Sequence, residues 1–144
     1  MSAVGRGDRD RGGAIVEFHL LGLLLLVPLV YVLLAVLEVQ AAAYGVTQAA
    51  REAGRLFVAT GDAASARAAA RVALDDQGVD AGAASVAFRC SADPCYSPGS
   101  EVTVTVSTTV RLPLLPDVLA DAVNAGIPVS GTHGTVVDRY RDLG

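Results

Sequence analysis

Between Phe18 and Leu37 the chain reads FHLLGLLLLVPLVYVLLAVL, about 20 residues without a formal charge, and this run constrains everything around it. As a helix rising 1.5 Å per residue it spans roughly 30 Å, the thickness of a bilayer's hydrocarbon core. A soluble domain would have to surround such a helix on every side, and a chain of 144 residues leaves too little protein to do so. A transmembrane helix is therefore expected. The hydrophobic excess, 52% of residues against 18% charged, is concentrated in this segment. Gly22 and Pro28 interrupt it, and membrane helices tolerate both, because no water competes for the backbone groups that a kink releases.

The flanks set the orientation. Arg6, Arg9 and Arg11 precede the run, and the next basic residue after it is Arg51. By the positive-inside rule the N-terminus is expected in the cytoplasm, with everything after Leu37 outside. That divides the chain into a basic cytoplasmic leader (1–12), a transmembrane helix (13–37) and one extracytoplasmic domain (38–144), as the length allows. The net charge is −4 and all 11 basic residues are arginine. No basic stripe follows the leader, so nucleic-acid binding is not expected.

A second reading treats the run as a secretory signal. Ala41-Ala42-Ala43 offers a small-residue cleavage site behind a basic start, and the product would be a secreted binding module released after Ala43. The run is longer than the roughly 7 to 15 residues of a signal's apolar region, and the helical pattern continues beyond the alanines.

At the start of the run stands Arg11-Gly12-Gly13-Ala14-Ile15-Val16-Glu17-Phe18, with one acid at the mouth of an apolar helix. Burying that charge at a bilayer centre costs on the order of 3 kcal/mol, less near the interface, so Glu17 can snorkel to the headgroups or meet a partner. The octapeptide, the leucine-rich helix, the alanine-rich stretch EVQAAAYGVTQAAREAGR and a β-rich tail ending in DRY together resemble the TadE family, pseudopilins of tight-adherence (Flp) pilus assembly. The likeness is carried mainly by residues 9 to 60. It implies that a prepilin peptidase cuts between Gly12 and Gly13, leaving Glu17 as the fifth residue of the mature chain. It also implies that Glu17, beside Phe18, pairs with a neighbouring subunit's free amine, the opposite charges offsetting much of the burial cost. The implied partners are the lipid bilayer, the peptidase, other pilin-like subunits and Tad assembly proteins, and the implied role is assembly, not catalysis. His19, Pro28 and the doubled glycine depart from the family pattern, and the doubled glycine leaves the choice of scissile bond open.

Beyond the membrane, Ala43, Val46, Ala50, Ala53 and Phe57 recur at spacings of three and four, so the first helix is expected from about Ala14 to Thr60, closed by Gly61. Asp62 caps a second, alanine-rich helix running to Gln77 before Gly78. After Gly82 the period becomes two. Val86, Phe88 and Cys90 alternate with polar or small neighbours, as do Val102, Val104 and Val106, which predicts two strands. A third strand over Ile127 to Val137, interrupted by Gly131 and Gly134, completes a small antiparallel sheet in an α+β, pilin-like arrangement. Between the second and third strands, Leu112 to Pro116 reads as core filling or a contact patch, followed by a short helix from Asp117 to before Gly126.

Two cysteines, Cys90 and Cys95, flank a turn-forming Asp93-Pro94. Their spacing is wrong for C-x-x-C redox chemistry, and a structural disulfide is the expected state, worth about 2 kcal/mol for so short a loop. His19 and His133 are too far apart in the chain's organisation to form a metal site. His133 is expected as a solvated or hydrogen-bonded strand residue, with Ser130 and Thr132 nearby but no nucleophile elbow. No phosphate-binding glycine loop is present, so neither cofactor nor catalytic residue is expected.

Overall fold

The computed structural model describes residues 9–111 and 126–140. It is an α+β structure of two helices, a short 3-10 helix at Ala81–Ala83 and three strands: α1 (Arg9–Thr60), α2 (Ala63–Asp75), β1 (Ser85–Cys90), β2 (Glu101–Arg111) and β3 (Gly126–Val136). The chain divides after Val36 into two compact units. The expected patch at Leu112 to Pro116 and the short helix after Asp117 lie outside the described residues.

The first unit is the apolar part of α1. Leucines from Leu20 to Leu34 are exposed, as are Ile15, Phe18 and the valines among them, which leaves a continuous apolar surface uncovered. The helix is long and apolar enough to cross a membrane. It begins at Arg9, not at Ala14 as expected, so Gly12 and Gly13 are helical.

The second unit opens at Leu37 and continues α1 with one buried face. Val46, Ala49, Ala50, Ala53 and Phe57 are buried there, against Ala66, Ala70, Ala73 and Leu74 of α2 and Val102, Val104 and Val106 of β2. Helix α1 stops because Gly61 turns left-handed at φ +73°, its N–H closing the last turn on the Phe57 carbonyl at 2.7 Å. One residue later Asp62 caps α2. Its carboxylate accepts from the backbone N–H of Ala64 (3.0 Å) and Ser65 (3.1 Å), and from the Ser65 hydroxyl. Helix α2 ends at Asp75, short of the expected Gln77. Gly78, at φ +70°, lets the Val79 N–H reach back to the Leu74 carbonyl at 3.0 Å.

The sheet is antiparallel in the order β1-β2-β3. Val102, Val104, Val106 and Thr108 of β2 are buried on the helix-facing side, while Thr103, Thr105, Ser107 and Thr109 fall on the opposite face. Gly131 and Gly134 remain in the ladder, paired with Val106 and Thr103, where interruptions were expected. At Gly131 a Cβ would stand 2.7 Å from the backbone N of Thr47 and 2.7 Å from the carbonyl carbon of Val46. Only a glycine lets α1 approach β3 this closely.

Candidate functional site

Gly12, Gly13, Glu17 and Phe18 all sit on α1. Gly13 and Glu17 are four residues apart and therefore one turn apart on the same helical face. Each glycine in a helix interior costs about 1 kcal/mol relative to alanine, so the turn around Gly12-Gly13 opens more easily than the leucine-rich helix behind it. Glu17 and Phe18 are exposed, and among the described residues Glu17 has no hydrogen bond or ion pair. The Phe18 ring meets His19 edge-on at 6.0 Å. His19 Nδ1 lies 2.8 Å from the Ile15 carbonyl, which satisfies one ring nitrogen locally. From Gly13 to Leu37 Glu17 is the one carboxylate, a charge open to pairing with a cation.

In the second unit Cys90 and Cys95 form a disulfide with Cα atoms 5.2 Å apart. The bond closes the loop that leaves β1, and the Asp93-Pro94 peptide within it is cis. Hydrogen bonds pin the loop's two ends: the Ser91 N–H to the Glu101 carbonyl at 2.9 Å, and the Glu101 N–H to Ser91 Oγ at 2.8 Å. Beside it Phe57, Phe88 and Tyr96 form an aromatic cluster, with ring centroids 5.2 Å (Phe57 to Phe88) and 6.0 Å (Phe57 to Tyr96) apart. The Arg67 guanidinium lies over Phe88 at 5.2 Å. The cysteine spacing pointed to the bond. The seat of Tyr96 against Gly61 was not foreseen, because residues 61 and 96 belong to separate helical and strand patterns.

His133, expected as a solvated or hydrogen-bonded strand residue, lies in β3. It is half-buried on the helix-facing side of β3, and a Cβ at Gly54 would stand 3.1 Å from its Cδ2. Ser130 and Thr132 fall on the other face by alternation, so the three do not converge. Among the described residues no group of three His, Cys, Asp or Glu side chains is placed to hold a metal ion. A cavity of about 650 Å³ is lined by Glu38, Ala42, Val79, Asp80, Thr108 and Arg111, among others. The Asp80 carboxylate there is engaged by the Gly82 N–H at 2.8 Å.

No family model, curated protein or solved structure matches the chain.

Proposed function

We propose that this protein is a TadE-like pseudopilin, a non-enzymatic membrane component that assists assembly of a Tad (Flp-type) pilus or a related secretion apparatus. The observation that carries the reading is Arg11-Gly12-Gly13-Ala14-Ile15-Val16-Glu17-Phe18 at the head of an uncovered apolar helix that continues into the core of a small α+β domain. In this role the helix anchors the subunit with its N-terminus in the cytoplasm and its domain outside. A prepilin peptidase then removes the leader after Gly12, and Glu17 finds a cationic partner on a neighbouring pilin-like subunit. Replacing Glu17 by Ala removes a charge and eases insertion, so membrane fractionation stays normal while assembly fails. Normal piliation by Glu17→Ala in the native host would overturn the pairing role.

Burial of Ala42, which is 3% exposed, weighs against release of a secreted module after Ala43. That cut would detach a side chain buried within the outer unit and leave α1 to begin at Tyr44.

A further inference from the structure

Cys95 is followed directly by Tyr96, and the Tyr96 ring occupies the space in front of the corner between α1 and α2. Its nearest atoms are 2.9, 3.0 and 3.1 Å from the position a Cβ would take at Gly61. The ring stands edge-on to Phe57, and its hydroxyl donates to the Val58 carbonyl at 3.4 Å. Three residues around the end of α1 are thus touched by one side chain, and that side chain is one peptide from a crosslink. The loop's hydrogen bonds at Ser91 and Glu101 hold it where it leaves and rejoins the sheet, and the Ser97 hydroxyl bonds within the loop to the Pro94 carbonyl at 2.6 Å. The disulfide ties the middle of the loop, next to Tyr96, back to the last residue of β1.

We infer that the Cys90–Cys95 bond is a redox-sensitive fastener: oxidised, it holds Tyr96 against the Gly61 corner, and reduced, it releases Tyr96 and loosens that corner while the sheet stays formed. The reductant is a dithiol. Its thiolate attacks one sulfur, the S–S bond breaks, two cysteine thiols form, and the dithiol closes to its own disulfide as two electrons pass to the protein. The sheet does not depend on the bond, because β1 pairs with β2 from Ser85 to Cys90 and β2 with β3 along its whole length. The corner does, because cutting the crosslink restores conformational freedom to the residues that position Tyr96.

Hydrogen–deuterium exchange of the full chain in detergent micelles, before and after dithiothreitol, tests this on peptides covering 57–66, 91–100 and 102–108. Reduction should speed exchange in 57–66 and 91–100 by roughly tenfold or more, leaving 102–108 unchanged. The Cys90→Ser, Cys95→Ser double variant should match the reduced protein. Tyr96→Ala, with its disulfide intact, should speed exchange in 57–66. Unchanged exchange in 57–66 on reduction, or in Tyr96→Ala, would overturn the fastener. Equal loss of protection in 102–108 would also overturn it, making the bond a staple of the whole domain.

Discussion

At Gly131 a single hydrogen in place of a methyl group sets how closely α1 can lie against the sheet. A Cβ there would meet backbone atoms of Val46 and Thr47 at 2.7 to 2.8 Å, and backbone cannot rotate away as a side chain can. Gly131→Ala should therefore cost about 1 to 3 kcal/mol, read as a lower midpoint in denaturant unfolding. Gly134, three positions on and so on the opposite face of the strand, is the internal control. Its Cβ would find only Glu101 Oε1, at 3.8 Å, so Gly134→Ala should leave stability unchanged or raise it by up to about 1 kcal/mol. These two glycines are indistinguishable in sequence, where both read as strand breakers, because the difference lies in what faces them from α1. Asp62, by contrast, was legible as a cap from its place between Gly61 and the alanines. The Ser65 hydroxyl, then the backbone N–H groups of Ala64 and Ser65, hold its carboxyl below the ordinary value of 3.8. Its folded-state pKa is thus depressed, so the cap's contribution is full above the ordinary carboxylate range and is lost as pH falls through the lowered value. Asp62→Ala should lower the melting temperature at neutral pH and flatten its dependence on pH in that acidic window, measured by circular dichroism.

The elements were legible where one physical signal dominated them. Alternation of Val86, Phe88 and Cys90, and of Val102, Val104 and Val106, marked β1 and β2, and the period of three and four carried α1 to Thr60. The signal failed where burial is not hydrophobic. Strand β2 runs on to Arg111 through Thr108, a hydroxyl residue that is 6% exposed, and apolar periodicity cannot see it. The 3-10 helix at Ala81–Ala83 was missed because it is a single turn held only by local bonds, the Ala83 N–H to the Asp80 carbonyl, the Ala84 N–H to the Ala81 carbonyl and the Gly82 N–H to the Asp80 carboxylate. The inner face of β3 is Val129, Gly131, His133 and Thr135, a mixture with no hydrophobic alternation. Its fit comes from α1, whose Gly54 makes room for His133. Helix α1 is thus the element on which the second unit is built, and Phe57 is its largest buried side chain at 4% exposure. Phe57→Ala should cost about 3 to 5 kcal/mol, a large share of a small domain's roughly 5 to 15. The variant should lose cooperative thermal unfolding by circular dichroism.

At the scale of the molecule, one helix carries two kinds of surface. Up to Val36 its apolar side chains are uncovered, and from Leu37 the same helix buries alanines and valines against a second helix and a sheet. The apolar run made this division legible, since no other stretch approaches a bilayer's thickness. The role of the Arg11 to Phe18 segment rests on family resemblance and not on packing, because Glu17 meets no protein partner among the described residues. Its function therefore has to be read from what happens to the chain in the cell. Gly12→Ala should block maturation, because the bond after residue 12 is proposed to need the smallest side chain beside it. On a gel, in cells that carry the peptidase, the variant should migrate above the mature wild type. The most direct measurement is mass spectrometry of the mature N-terminus of the wild-type protein from its native membrane. A chain beginning at Gly13 is the expected result, whereas one beginning at Tyr44, or an intact Met1, would contradict the assignment as a processed pseudopilin.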